Sequence, residues 1–203
     1  LTLQQTQRAE GIWLSNSGSL PINAQVRVFR WSQSGYNDQL SASQGLVISP
    51  PMLTLPPGGR QLIRVIRTGS TANVEDAYRL SINELPPTSG QKNALQFVLH
   101  YSVPVFIQPP GVTDTFATLQ WQIHRSDGKV FLEANNQGDG HAQLSEVSVI
   151  TAAGSRKQIT PGLLGYVLPG STMRWAIPAG AGDVGLGGQL EVTVNGKKTR
   201  QAL

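Results

Sequence analysis

The stretch LPPTSGQKNALQFVLHYSVPVF, residues 85–106, decides the fold of this chain. It begins as a proline-rich bend and continues as a run in which every second position is apolar. Because strand side chains alternate between the two faces of a sheet, these apolar positions predict one face of a single extended strand. That strand would be about eleven residues long, roughly double the usual length. Its apolar positions are Leu95, Phe97, Leu99, Tyr101, Val103 and Val105.

The same alternation recurs along the chain and predicts an all-β protein. It is clear in residues 22–28 and 77–85. Turn-forming pairs such as Asp127-Gly128 separate the runs, which is a strong signal for β-hairpins. The chain also holds 22 glycines and 13 prolines with only 14% charged residues, a composition that suits strands and turns. The stretch SQSGYNDQLSASQG, residues 32–45, lacks the alternation and is predicted as a polar loop.

Two consecutive immunoglobulin-like β-sandwich domains are the architecture that this pattern predicts. About seven short strands per half, separated by turn signals, are typical of such sandwiches. In the segment QPPG at 108–111, the two prolines restrict the backbone and the glycine that follows leaves it free to turn, which favours a domain boundary. We therefore expect one domain at 1–109, which carries the long strand, and a second domain at 110–203.

Composition and motifs argue against an enzyme, a cofactor site and a membrane-inserted protein. The chain has no cysteine, which excludes thiol catalysis, disulfides and thiolate metal ligands. Its three histidines fall on different predicted elements without ligand spacing, so no metal site is expected. The G-x-G-x-x-G match at 180–185 is followed by a strand pattern, where a dinucleotide site needs a helix. No apolar run approaches the roughly 18 residues that span a bilayer.

The basic charge leaves a nucleic-acid-binding β protein open as an alternative. The formal net charge is +4, but the basic residues are dispersed. The segment that carries Arg60, Arg64 and Arg67 lacks the interleaved aromatic side chains on which single-stranded nucleic acids stack. Nucleic acid is therefore not an expected partner, and acidic proteins are favoured only mildly.

Arg79 is a candidate ligand for a carboxylate. It is the one charge between Tyr78 and Leu80, and it shares its strand face with Ser81 and Asn83. The guanidinium fork matches the two oxygens of a carboxylate, so an arginine in this setting can bind one. An ordinary solvent-facing strand arginine is the alternative.

Several stretches together resemble one known family, the periplasmic pilus chaperones of the chaperone–usher pathway. The most specific are ISPPMLTLPPGGRQLIRV at 48–65 and YRLSINELPP at 78–87, followed by LQFVLHYSVPVF at 95–106. In the second half, FLEANN at 131–136 and YVLPGSTMRW at 166–175 fit the family's shorter second domain. The YRL and SVPVF variants resemble the archaic, Csu-like branch.

This resemblance implies a function for the long strand. Such chaperones bind pilus (fimbrial) subunits whose own sandwich lacks its last strand. They lend an edge strand whose apolar side chains fill the open groove, which is donor-strand complementation. The subunit is then delivered to an outer-membrane usher without an energy cofactor, and the location is the periplasm, with the signal peptide already removed. The matching donor positions are Leu95, Phe97, Leu99, Tyr101 and Val103.

The chain departs from the usual family pattern where the subunit's C-terminal carboxylate is anchored. Conventional members use an arginine on the first strand and a lysine on the donor strand. The lysine position aligns with Pro104, and the arginine position would lie upstream of Leu1. The resemblance to the Csu-like branch implies Arg79 as the substitute anchor, with Arg27 second.

Two other interpretations of the long strand stay open. In the first, all its apolar side chains point into the protein's own core. In the second, the protein is a non-catalytic, two-domain immunoglobulin-like adhesive or structural module that binds through loops. Residues 95–105 distinguish these cases, because a chaperone needs an edge strand there with exposed apolar side chains. Since such an edge promotes aggregation, self-association of the free protein is a further expectation.

Overall fold

The computed structural model describes residues 1–69, 72–86, 98–178 and 187–203. Within these ranges the chain forms sixteen β-strands and no α-helix. The described part of the chain accordingly contains no helix that is long and apolar enough to cross a membrane.

The chain folds into two compact units, each a sandwich of two β-sheets. Leu1–Trp31 and Leu40–Thr113 form the first unit, and Ser32–Gln39 and Asp114–Leu203 form the second. The predicted fold class, all-β with two sandwiches, is confirmed. The predicted domain boundary after Pro109 stays a prediction.

The first nine strands build two sheets. They are β1 (Thr2–Leu3), β2 (Ala9–Ser15), β3 (Ile22–Ser34), β4 (Asn37–Ala42), β5 (Leu46–Ser49), β6 (Met52–Leu55), β7 (Arg60–Arg67), β8 (Asp76–Leu85) and β9 (His100–Ile107). One sheet has the order β1-β9-β8-β3-β4, with β6 also pairing with β3, and the other has the order β2-β7-β5. The buried core between them includes Leu3, Val26, Ile63, Val65, Tyr78, Leu80 and Val105.

The remaining strands build the second sandwich. They are β10 (Leu119–Ser126), β11 (Lys129–Asn136), β12 (Ala142–Ile150), β13 (Arg156–Val167), β14 (Thr172–Ala176), β15 (Gln189–Val194) and β16 (Lys197–Ala202). One sheet has the order β10-β11-β14, and the other has the order β13-β12-β15-β16. Their core includes Leu132, Leu144, Val147, Val149, Leu190 and Val192.

The prediction of a polar loop at 32–45 is wrong, because much of this stretch forms strands. Gly35 and Tyr36, both at positive φ, turn the chain, and residues Asn37–Ala42 form strand β4. All six residues of β4 are exposed. A strand that buries neither face needs no apolar alternation, so the pattern could not reveal it.

A buried asparagine closes one end of the first sandwich. Asn16 directly follows β2 and is 2% exposed. Its side-chain amide nitrogen donates to the carbonyls of Leu20, at 2.7 Å, and Leu55, at 3.1 Å. Its side-chain oxygen accepts from the main-chain nitrogen of Gly18 at 2.9 Å. An equivalent asparagine lies in the second sandwich, because Asn136 is the last residue of β11, is fully buried, and makes equivalent main-chain hydrogen bonds.

Replacing Asn16 with alanine should destabilise the first unit by about 2–4 kcal/mol. The change removes the hydrogen bonds of the amide and leaves the carbonyl oxygens of Leu55, at a buried position, and Leu20, at a partly buried one, without their donor. Asn23→Ala is the matched control, because the Asn23 side chain makes an exposed hydrogen bond with Thr54. Urea unfolding of both variants measures the difference, and equal losses would show that the Asn16 amide does not hold this end of the sandwich.

Candidate functional site

One edge of the β1-β9-β8-β3-β4 sheet is open along most of strand β9. Strand β1 covers only the end of β9, where Thr2 pairs with Phe106 and Leu3 pairs with Ile107. On its other side β9 is paired with β8 along its full length. Among the described residues, no strand pairs with β9 before the segment that β1 covers.

The main-chain groups that face this open side follow from the alternation of the strand. Phe106 N donates to Leu1 O at 2.9 Å, and Leu1 N donates to Pro104 O at 3.1 Å. The even-numbered residues of β9 thus point their main-chain groups away from β8. Because the β8–β9 register is unbroken, the N–H and C=O groups of His100 and Ser102 also point to the open side.

The apolar side chains of β9 pass from an exposed to a buried position along the strand. Tyr101, Val103 and Val105 lie opposite Ile82, Leu80 and Tyr78, so they share the core-facing side of the sheet.

Leu99 is 51% and Tyr101 53% exposed, Val103 is half-buried, and Val105 is completely buried. The strand that was predicted to have one apolar face therefore buries Val105 in the core at one end and leaves the apolar side chains of Leu99 and Tyr101 exposed at the other. Leu95 and Phe97 lie outside the described residues.

Leu99 and Tyr101 border a small apolar cavity at the open end of the sandwich. The cavity has a volume of about 90 Å³. Residues from β2, β3, β6 and β8 complete its wall, so both sheets contribute to it. The apolar lining side chains include Leu14, Ile22, Leu55, Ile82, Leu99 and Tyr101. Asn16 holds the rim of this cavity in place, since it binds the carbonyl of Leu55.

Glu84 fixes the position of Leu99 at the start of the open edge. The Leu99 main-chain nitrogen donates to Glu84 Oε2 at 3.1 Å, and the Glu84 nitrogen donates to the Leu99 carbonyl at 2.9 Å. These two hydrogen bonds extend the β8–β9 pairing by one residue beyond the strand. The exposed Leu99 side chain is therefore presented from a defined backbone.

Strands β3, β8 and β9 have a second face, which points away from the core and carries polar and basic side chains. Arg27 on β3 lies opposite Ser81 on β8, and Arg79 on β8 lies opposite Phe29. The two predicted carboxylate anchors are therefore diagonal neighbours on adjacent strands, with Cβ atoms about 7–8 Å apart. Across the other side of β8, Arg79 lies opposite Pro104 of β9. Arg79 thus lies one strand nearer to the open edge than Arg27.

The Arg79 guanidinium stacks on a buried aromatic ring. Its Cζ atom lies 3.8 Å from the centre of the Trp31 ring, and the Trp31 and Phe106 rings are 6.0 Å apart. Trp31 is 3% exposed, whereas Arg79 is half-buried. Stacking of this kind restrains a guanidinium and leaves its in-plane N–H groups directed sideways.

Next to Arg79, the core-facing side of β8 carries Tyr78 and the acidic residue Asp76. Tyr78 packs there at 2% exposure. Burial raises the pKa of Tyr78, and the nearby Asp76 carboxylate raises it further. Asp76 itself is paired with Arg30 at 2.7 Å. In the described part of the chain, no group of three His, Asp or Glu side chains is arranged to hold a metal ion.

Comparison with known proteins places this chain in one family. The family model described as "Pili and flagellar-assembly chaperone, PapD N-terminal domain" matches residues 1–113. The chaperone protein PmfD of Proteus mirabilis is 22% identical over 143 residues, covering 66% of this chain and 54% of the relative. The uncharacterized fimbrial chaperone YqiH of Escherichia coli is 24% identical over 157 residues, covering 72% and 60%. The aligned region therefore spans little more than half the length of these relatives.

Solved chaperone structures share the fold. A chain in the CsuC–CsuE chaperone–tip adhesion subunit pre-assembly complex of Acinetobacter baumannii superposes with a TM-score of 0.77 at 24% identity, covering 98% of this chain and 93% of that one. A chain in the complex of Salmonella enterica SafA pilin with the SafB chaperone gives 0.69 at 19% identity, covering 100% and 92%.

These matches confirm the resemblance to pilus chaperones. The matched family is one of assembly chaperones, and both relatives are named as chaperones rather than enzymes, in agreement with the non-enzymatic prediction. Because the family model covers more than half of the 203-residue chain, this protein belongs to the pili and flagellar-assembly chaperones with a PapD N-terminal domain.

Proposed function

We propose that the protein captures pilus subunits in the periplasm by donor-strand complementation and delivers them to an outer-membrane usher. The observation that carries this proposal is the coincidence of two features on β9. Among the described residues, the main-chain groups of His100 and Ser102 on its open side have no partner strand, and the strand exposes the apolar side chains of Leu99 and Tyr101 beside an open cavity. The names of the two structural neighbours describe chaperones bound to a tip subunit and to a pilin, which supports subunits as the partner class.

A subunit that lacks its last strand offers the complement to both features. Its own open edge supplies main-chain hydrogen bonds to β9, and its groove takes the apolar side chains. Each large apolar side chain that is buried in this way contributes about 1.5–3 kcal/mol. The donor set proposed is Leu99, Tyr101 and Val103, continued by Leu95 and Phe97. The free energy for later release to the usher would come from the subunit's incomplete folding, so no energy cofactor is required.

The subunit's terminal carboxylate would bind near the end of the open edge. Pro104 ends that edge, because it has no N–H group and its carbonyl already accepts from Leu1. Arg79 lies directly across from Pro104. A subunit strand whose C-terminus reaches Arg79 would therefore run parallel to β9. We propose Arg79 as the anchor of this carboxylate. Arg27, the second candidate from the sequence, lies one strand farther from the open edge.

Replacing Ser102 with proline tests the main-chain part of this proposal. The Ser102 N–H faces the open side, so proline removes a donor that only a partner strand would use. Pro104 occupies an equivalent position on the same strand, so β9 tolerates this geometry. We expect subunit binding to weaken about 10- to 100-fold, since one hydrogen bond is lost and the partner's carbonyl is left unpaired. The measurement is a titration with a pilus subunit encoded in the same operon.

Ser102→Ala is the matched control, because it retains the main-chain N–H and changes only an exposed side chain. The melting temperature of each variant reports whether β9 still pairs with β8. A Ser102→Pro protein with an unchanged melting temperature and wild-type affinity would refute strand addition at this edge.

A further inference from the structure

We propose that the outward face of β3, β8 and β9 holds a second anion site, centred on Ser81, that binds an acidic side chain of the captured subunit. Arg27 and His100 would supply the charge and the hydrogen bonds, on either side of Ser81. The inference rests on the proposed function, and it assigns to Arg27 a ligand different from the terminal carboxylate.

The geometry of the site is set by three adjacent strands. Ser81 lies in the middle strand, opposite Arg27 on one side and Ser102 on the other. His100 Nε2 lies 3.2 Å from Ser81 Oγ. The Asn83 side-chain nitrogen donates to the same oxygen at 3.2 Å. Ser81 is only 8% exposed although it points outward, because these longer side chains surround it.

The hydrogen bonds around Ser81 leave a donor for a ligand. A serine oxygen has two acceptor positions and one hydrogen to donate. When His100 carries hydrogen on Nε2, the imidazole and the Asn83 amide fill both acceptor positions. The Ser81 hydroxyl hydrogen then remains to be donated to a further acceptor. An acceptor that is negatively charged fits this arrangement best.

The charge on this face is one-sided. Within the three strands, the outward positions of β3, β8 and β9 carry Arg27, Arg79 and His100 and no carboxylate, and the buried Glu75 directly precedes β8, six residues before Ser81. The two acids of β8, Asp76 and Glu84, belong to the other face of the strand. Arg27 is exposed, and its Cζ atom lies 5.5 Å from the centre of the Phe29 ring. Because the Arg27 side chain is exposed beside this ring, its guanidinium is accessible to a carboxylate of a bound partner.

The distance from the open edge separates this site from the terminal-carboxylate site. A strand added at β9 would lie three strand spacings from β3, or about 14 Å. Arg79 is one spacing closer, beside Pro104, where the added strand would end. With the terminal carboxylate on Arg79, Arg27 remains for a group on a subunit segment outside the added strand. Because this face is positively charged, we expect an Asp or Glu side chain on that segment to bind Arg27.

Double-mutant cycles with a pilus subunit from the same operon test the inference. We expect Arg27→Gln to weaken binding about tenfold. Arg64→Gln is the matched control, since Arg64 is an exposed strand arginine on β7 in the other sheet, and it should change the affinity less than twofold. Each Asp or Glu of the subunit is then replaced by its amide. One replacement should reproduce the tenfold loss, and combining it with Arg27→Gln should add nothing further.

Two results would overturn the second site. In one, Arg27→Gln behaves like Arg64→Gln. In the other, the effect of Arg27→Gln disappears only when the subunit's terminal carboxylate is blocked by an added C-terminal residue, which would make Arg27 a terminal anchor. In both cases the wild-type chaperone still binds the subunit. Failure of the proposed function looks different, because the wild-type protein would then bind no subunit at all.

Discussion

A Leu99→Glu variant should fold normally and yet fail to form a complex with a pilus subunit. Leu99 is 51% exposed, so a carboxylate at this position stays hydrated in the free protein. The expected change in stability is within about 0.5 kcal/mol, as for other surface substitutions. In the complex the same carboxylate would enter an apolar groove without a partner, which costs several kcal/mol. We expect the affinity to fall by about 1,000-fold or more, since about 1.4 kcal/mol corresponds to each factor of ten.

Co-expression with the subunit, followed by affinity purification and size-exclusion chromatography, measures this loss. Leu163→Glu is the matched control, because Leu163 on β13 is 57% exposed and has no part in the proposed site. The control should yield as much complex as the wild type. If Leu99→Glu keeps its melting temperature and still yields full complex, the donor-strand interpretation is wrong. Recognition through loops, as in an adhesive or structural module, would then become the better explanation.

The fold could be predicted because its signals are local. Alternation and turn chemistry each depend on a few neighbouring residues. The Asp127-Gly128 pair, for example, does turn the chain between β10 and β11, with both residues at positive φ. Such backbone angles match the twist of two-residue hairpins, so the pair predicts the hairpin on physical grounds.

Strands without alternation escaped prediction. Strand β13 spans Arg156–Val167 and contains Pro161 and Gly162, which a sequence pattern treats as breakers. It forms an edge of its sheet, where proline is tolerated because one side of the strand needs no ladder hydrogen bonds. The fully polar strand β4 was missed for the related reason that it buries neither face.

The candidate site could be predicted only in part. Alternation placed Tyr101 and Val103 on one face of their strand, and Arg79 and Ser81 together on one face of theirs. The strand register agrees with both, and it adds that the two pairs lie on opposite faces of the sheet. It could not show that Val105 is buried while Tyr101 is exposed. That difference depends on how far the opposite sheet reaches. The contact of His100 with Ser81 was missed as well, because it depends on the pairing of two strands separated in sequence.

Replacing Arg79 with glutamine should weaken subunit binding about 100-fold. The proposed contact is a charge-assisted, two-pronged hydrogen bond to the subunit's terminal carboxylate, and bonds to charged groups contribute about 1.5–3 kcal/mol. The stack of Arg79 on Trp31 is lost too, so the melting temperature should fall slightly. Arg79→Lys separates these effects, because it keeps the positive charge and loses the planar fork, and it should recover only part of the affinity.

A subunit with one extra C-terminal residue identifies the group that Arg79 binds. The extension moves the terminal carboxylate past the point where Pro104 ends the open edge, directly opposite Arg79. Wild-type chaperone should bind the extended subunit about 100-fold more weakly, which is the loss expected for Arg79→Gln with the native subunit. Combining the two changes should add little, because each removes one partner of the same contact. If the two losses instead multiply, Arg79 contributes through its contacts within the chaperone, such as the Trp31 stack, and the carboxylate is anchored by another residue.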